Sequence, residues 1–470
     1  MSDKTDIHQT LQEQLALFGQ EHVLRFWGQL DETGRTQLSA QIADIGLDQL
    51  KLLVEGQDVK QDFAAMADRA MSPPSVRADG TGAAWSVDEA IRHGEAALAA
   101  GEVGAILVAG GQGTRLGFDQ PKGMFPAGPV SKRTLFQIFA DRLRAIGDRY
   151  GTEVPWYVMT SDATDAETRQ YFEDNNYLGL HPDQVRIFKQ GTMPAVDAAS
   201  GKLLLASKDS LALSPDGHGG TVGALDRSGC LDDADRRGVK YLAYIQVDNP
   251  LANLCDAVLI GHHVMAASEM TTQVVRKRYP TEKVGNVVLV DGRVQIIEYS
   301  DLPESSAVAT NDQGELKLWA GNIGVHMIDV AFLRRMSRTS DALPFHRASK
   351  KVGHVDDQGR SVDPAEPNAT KFERFIFDLL PYAENAFVVE ALPSEAFAPV
   401  KNAEGAATDT ASLARAAVSD LHKGWLRAAG ADVSDTAVVE INPRFAMSAE
   451  QVREKISSNL KIDSDRYFDN

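Results

Sequence analysis

From Ile7 to about Ala70 the apolar residues recur at three- and four-residue spacing: Leu11, Leu15, Leu17 and Phe18, then Val23, Leu24, Phe26, Trp27 and Leu30. That period lines them along one stripe of a helix, so the spacing predicts a helical N-terminal section. Ser72-Pro-Pro74 and the Gly80 to Gly82 segment interrupt the pattern, and a further helix is predicted over about Val87 to Ala100. After Gly101 short β-type runs alternate with helical ones, the signature of an α/β fold in which helices flank a mixed, mostly parallel sheet. Strands are predicted at Ala105 to Ala109, Trp156 to Thr160, Val185 to Phe188, Leu242 to Val247 and Thr272 to Val275, with helices at Leu135 to Ile146 and Cys255 to Ala267. Asn286 to Val290, Asp291-Gly292 and Arg293 to Tyr299 read as a hairpin, because Asp-Gly suits a two-residue turn. Beyond about Pro381 the pattern shortens and ends in a predicted helix near Ala449 to Ser457. The expected organisation is therefore a helical section over 1–100, a central catalytic domain over 101–380 and a small C-terminal domain over 381–470.

Composition narrows the function without naming it. The 470 residues carry a formal charge of −18, which repels polyanions and argues against a general hold on nucleic acid. A nucleoside triphosphate is a different case, since a few placed cations, backbone N–H groups and a divalent metal can bind it inside an acidic protein. Cys230 and Cys255 are too few for a disulfide framework and are expected to be reduced core thiols. The sequence contains no apolar leader and no run of membrane-spanning length, so no membrane partner and a cytoplasmic location are expected. Oligomeric state is not legible.

The chemistry is carried by one loop. Ala105-Ile-Leu-Val-Ala109 runs directly into Gly110-Gly-Gln-Gly-Thr-Arg-Leu-Gly117 and then Gln120-Pro-Lys-Gly123. A strand opening into glycines lets a phosphate chain approach the backbone and lets successive N–H groups turn inward as an anion nest, to which Arg115 and Lys122 add charge. A dinucleotide fingerprint fails because Leu116 stands where glycine is needed, and the Gly-Lys-Ser/Thr of a P-loop is absent.

The stretch Gly110 to Gln137 resembles the signature of the eukaryotic-type UDP-sugar pyrophosphorylase family, and within it is most similar to the UDP-N-acetylglucosamine (UDP-N-acetylhexosamine) branch. Nine further motifs carry the resemblance: Met159-Thr-Ser161, Gln190-Gly191, Ser214 to Gly220, Val247-Asp-Asn249, Pro280 to Gly285, Glu298-Tyr-Ser300, Ala320 to Ile323, Lys371 to Phe375 and Pro399-Val-Lys-Asn402. The resemblance implies a Rossmann-like, GT-A-like nucleotidyltransferase fold. It also implies attack of a sugar 1-phosphate oxygen on the α-phosphorus of UTP, with pyrophosphate leaving in line.

Roles follow residue by residue from that resemblance. Arg115, Lys122 and Lys401 match the family's phosphate contacts. Gly110, Gly111, Gly113, Thr114, Gln190, Gly217 and His218 match its nucleotide site. Gly285, Glu298, Tyr299, Asn322 and Phe375 match its sugar site. Asp248 matches a ligand for Mg²⁺ or Mn²⁺, a hard cation that needs only one or two protein carboxylates; by spacing alone, Asp248 could equally cap a helix starting at Pro250. One position departs from the branch. His218 stands where the acetylhexosamine enzymes carry Asn, and His there is the UDP-glucose pattern, so glucose or galactose 1-phosphate and a broad specificity remain alternative acceptors. An inactive UDP-sugar-binding regulator is the alternative from a different class. His262 and His263 point about 100° apart on a helix, cannot readily share an ion, and are read as structural.

Overall fold

The computed structural model describes residues 2–56, 62–339 and 343–469, with side chains from Ile7 onward. The chain packs as two compact units that interleave along the sequence, instead of the three consecutive spans expected. One comprises Met1–Asp62, Gln190–Thr221 and Asp341–Asp378; the larger comprises Phe63–Lys189, Val222–Ser340 and Leu379–Asn470.

The larger unit is built on a nine-stranded sheet. Its strands are β1 (Val103–Val108), β2 (Trp156–Thr160), β3 (Val185–Lys189), β4 (Tyr241–Gln246), β5 (Met270–Arg276), β6 (Asn286–Val290), β7 (Arg293–Ile297), β8 (Ala320–Asp329) and β9 (Ala386–Ala391). The run β4-β1-β2-β3 is parallel, as its helical crossovers require. β8 turns the sheet antiparallel against β4, β5 and β6, while β9 adds parallel to β5. The fold is thus mixed α/β with helices on the sheet. All five predicted strands and the hairpin are present, with Asp291 and Gly292 in the left-handed conformation that a two-residue hairpin turn demands.

Two strands escaped the pattern. β8 is buried along nearly its whole length, so it lacks the alternation of a half-buried strand. It also carries Gly324 at φ +69°, where its register with β5 shifts between Gln273 and Val274. That is a β-bulge, and glycine supplies the backbone conformation it needs. β9 lies in the expected C-terminal span, yet its backbone hydrogen bonds go to β5, which makes it part of the main sheet. The remaining C-terminal residues gather a separate core of Leu426, Val439, Ile441, Val452 and Phe468 around helices Ala411–Ala428 and Ala449–Lys455.

The smaller unit explains the N-terminal helices. Ser2–Ala16, Glu32–Asp44 and Leu47–Glu55 bury Leu15, Leu38, Ile42, Leu50 and Leu53 against Val196, Leu203, Leu211 and Phe372. Residues 57–61 of the predicted helical section lie outside the described residues. Phe63–Arg69 and Val87–Ala99 belong instead to the larger unit.

One contact is unusually close. A Cβ on Gly94 would stand 1.9 Å from the carbonyl oxygen of Ala257, and one on Gly261 would stand 1.7 Å from that of Ala90. Helices Val87–Ala99 and Ala257–Met265 therefore meet backbone to backbone. Gly261→Ala must push them apart and is expected to cost about 1–3 kcal/mol of stability, the usual cost of overpacking. The urea midpoint measures this, and an unchanged midpoint would contradict the close crossing.

Candidate active site

The glycine loop keeps its shape through its own backbone. Gly113 N–H donates to Gln120 O (3.0 Å), Lys122 N–H to Gly111 O (3.0 Å) and Leu116 N–H to Gly113 O (2.7 Å). Ser161 at the end of β2 donates from Oγ to Gly110 O (2.7 Å), which fixes the loop's first residue. A Cβ on Gly113 would stand 2.6 Å from Phe118 O, whereas one on Gly111 would meet nothing within 4 Å. Gly113 is thus required by the fold, and Gly111 is open to whatever approaches the loop. Thr114 and Arg115 are exposed on the short turn Thr114–Leu116.

Lys122 points inward. Its Nζ lies 3.5 Å from Oδ2 of Asp248, with side-chain exposures of only 17% and 14%. Asp248 follows the end of β4, so the ends of two neighbouring parallel strands deliver a cation and a carboxylate to one point. The helix-capping alternative for Asp248 is not what forms: Asn249 Oδ1 takes Leu251 N–H (3.3 Å), and Asp256 caps the helix Ala257–Met265.

The segment that bears Lys401 is tied to the same strand end. Val400 N–H donates to Asp248 O (2.8 Å), and Asn249 accepts Ala398 N–H (3.0 Å) while donating to Ala396 O (2.7 Å). Leu116 of the glycine loop packs on Val400, Ala411 and Ala414. Lys401 is therefore carried on a segment tied to Asp248 by main chain and to the glycine loop by apolar contact. Its Nζ sits 5.5 Å from the Phe397 ring centroid.

Three expected sugar residues also converge. Asn322 N–H donates to Gly285 O (2.8 Å), and a Cβ on Gly285 would stand 2.7 Å from Glu298 Oε1. Glu298 lies one residue past β7, because its carbonyl accepts both Asp301 N–H and Leu302 N–H (3.0 Å each) and turns the chain there. Asn322 precedes the bulge and accepts Gly324 N–H on Oδ1 (3.0 Å). Tyr299 is exposed beside them.

Gln190, Gly217, His218 and Phe375 belong to the smaller unit. Gly217 has φ +82°, and a Cβ there would stand 2.4 Å from Arg374 O. Gly219 N–H donates to Arg374 O (2.8 Å) and Arg374 N–H to Asp216 O (2.7 Å), so the two motifs are laced together. The His218 ring stacks on Phe375 at 5.2 Å, and its Nδ1 accepts Ile376 N–H (3.1 Å). Accepting there places the ring proton on Nε2. Burial, aided by nearby His346, lowers the His218 pKa to about 4. The Phe375 ring also packs, tilted, against His346 at 4.3 Å, and His346 bonds Asp378 (2.9 Å).

Residues 84–465 match the family model described as UTP--glucose-1-phosphate uridylyltransferase. The chain belongs to this family. It is 36% identical to human UDP-N-acetylhexosamine pyrophosphorylase-like protein 1, over 99% of this chain and 98% of that protein. It is 35% identical to the UDP-N-acetylglucosamine pyrophosphorylase of Saccharomyces cerevisiae, over 92% and 94%. A putative UDP-N-acetylglucosamine pyrophosphorylase from Entamoeba histolytica superposes with a TM-score of 0.76 at 30% identity, covering 84% of this chain and all of that one. The Trypanosoma brucei pyrophosphorylase shares the fold at a TM-score of 0.82, 24% identity and 97% and 98% coverage.

Within this uridylyltransferase-family chain, Ser161 and Asn249 are positioning residues that sequence reasoning quoted in motifs without giving them a task. His262 and His263 are structural as expected: Trp85 donates to His262 Nδ1 (2.9 Å), and His263 bonds Thr271 and Asp329 (2.9 Å each). Cys230 and Cys255 are buried free thiols.

A pH prediction follows from His218. Its folded pKa lies below the unfolded value of about 6.5, so it contributes stability above that value, lost as pH falls from about 6.5 toward about 4. The stability advantage of the wild type over His218→Asn is expected to shrink across that window. Urea midpoints of both proteins at several pH values measure it, and a constant difference would contradict the assigned ionisation.

Proposed function

We propose that this protein is a UTP:sugar-1-phosphate uridylyltransferase whose preferred acceptor is N-acetylglucosamine 1-phosphate. The observation that carries the reading is the Lys122–Asp248 pair just past the end of β4, with Lys401 on the segment whose main chain bonds Asp248. A new bond forms between the sugar phosphate oxygen and the α-phosphorus of UTP as the bond to pyrophosphate breaks. Several negative charges must converge for this, so the residues act by positioning and charge neutralisation, and no covalent protein nucleophile is needed. Lys122 and Arg115 attend the triphosphate from the glycine loop, and Lys401 attends it from the segment bound to Asp248.

The metal reading fits the donor set. Among the described residues no three His, Cys, Asp or Glu side chains form a group that could hold a metal ion. A lone carboxylate suits Mg²⁺ or Mn²⁺ that takes its other ligands from phosphate and water, and a chelating ion such as zinc would need more. Asp248 would hold the ion, which when bound supplies neutralisation of phosphate charge.

In the smaller unit, neutral His218 presents Nε2–H as a donor suited to a uracil carbonyl, with Gly217 and Gln190 as further base contacts. Glu298 accepts sugar hydroxyls, with Asn322, Gly285 and Tyr299 beside it in the larger unit. A carboxylate that loses such donors is left unpaired, so analogues lacking the hydroxyls are rejected. The names of the relatives support the N-acetylhexosamine acceptor over glucose, although His218 is the glucose-type residue. No helix among the described residues is long and apolar enough to cross a membrane.

Pyrophosphate release from UTP and Mg²⁺ is expected with N-acetylglucosamine 1-phosphate in preference to glucose and galactose 1-phosphates; no release with any of them would sink the reading. Lys122→Ala and Asp248→Asn are each expected to lower kcat by about 100-fold or more in protein that still folds, with some stability lost because the remaining partner is left partly buried and unpaired. Normal turnover in folded Lys122→Ala protein would refute its role.

A further inference from the structure

Lys277 follows β5 and is only 8% exposed, although nothing in the proposed reaction uses it. Its Nζ donates to Asn286 Oδ1 (2.8 Å) and to Pro280 O (3.0 Å). Asn286 passes the connection on by donating to Val284 O (3.4 Å) and Ile297 O (3.3 Å), the residue before Glu298. One ammonium group thus closes both ends of the 280–286 turn and ties it to β7. Glu282, 5% exposed, adds a second lock by accepting Arg278 N–H and Nε–H (2.6 Å each).

Burying a lysine is costly unless its donors are satisfied, and an apolar residue would fill the same space at less cost. The acceptors it serves all lie on the turn that carries Gly285, whose carbonyl holds Asn322 and whose missing side chain leaves room for Glu298. The aliphatic stem supports the other side: a Cβ on Gly321 would stand 3.5 Å from Lys277 Cγ.

We propose that Lys277 is a positioning residue for acceptor-sugar recognition, setting the separation of the Gly285 backbone and the Glu298 carboxylate without touching substrate. This rests on the uridylyltransferase reading of the same site. Because the Lys277 ammonium bonds the 280–286 turn and not the residues of the phosphate junction, loss of Lys277 acts on one substrate and spares the other.

The test is steady-state kinetics of Lys277→Met with each substrate varied in turn. The KM for N-acetylglucosamine 1-phosphate is expected to rise about tenfold or more, as small misplacements of a binding group do. The KM for UTP should stay within about twofold. KM does not depend on the fraction of molecules folded, so partial misfolding cannot imitate this split. Lys277→Gln, which retains a donor, should recover part of the sugar affinity; if the methionine variant does not fold, the same split at several-fold size is expected in the glutamine protein. Equal changes in both KM values, or no change in the sugar KM, overturn the proposal while leaving the uridylyltransferase reading intact. Absence of turnover in the wild type with every sugar 1-phosphate overturns that reading and the proposal with it.

Discussion

The partly buried pair of Lys122 and Asp248 is the contact on which the proposed phosphate site depends. Neither charge would be placed there alone, since desolvation without a partner is expensive. At 3.5 Å the pair is looser than an optimal charge-assisted hydrogen bond. A loose pair already in place can be redirected toward phosphate with little rearrangement, which is the preorganisation that phosphoryl chemistry rewards. The neighbouring main chain then matters as much as the side chains: Asp248 O holds Val400, and Asn249 holds Ala396 and Ala398. One strand end therefore places Asp248 and holds the segment that carries Lys401.

The sugar side is organised by a different device. The bulge at Gly324 shifts the register of β8 against β5, which pairs again from Val274 with Asn322, and Asn322 N–H meets the turn bearing Gly285. Bulges recur beside active sites because they re-aim a side chain without dismantling the sheet. Glu298 reaches the same place because β7 ends one residue before it. In the smaller unit the N-terminal helices supply the apolar core behind Val196 and Phe372, which gives that otherwise unassigned section a bracing role for the segments that carry His218 and Phe375.

Much of this was legible in the residue order. The five strands, the Asp-Gly hairpin and the glycine loop announce themselves through periodicity and turn chemistry, which are local signals. β8 was missed because burial on both faces erases alternation, and its glycines read as breakers until the bulge explains one of them. β9 was assigned to a C-terminal domain because pairing with β5 is a long-range choice that no local pattern encodes. Asp248 shows the same limit at the site: spacing offered a cap, and only the fold shows Asp256 capping the helix and Asp248 facing Lys122. Ser161 and Asn249 act through backbone groups distant in sequence, and Lys277 through a turn whose course no local pattern encodes, so their tasks emerge only with the structure.

In the proposed function the strand-end junction is a metal-assisted triphosphate site with Asp248 as its protein ligand. Calorimetric titration of UTP into wild type and Asp248→Asn, each with and without Mg²⁺, tests it without relying on turnover. Binding to the wild type should strengthen markedly with Mg²⁺, and the variant should lose that gain while remaining folded. An Asp248→Asn protein that binds UTP with the same Mg²⁺ dependence as the wild type would contradict the account.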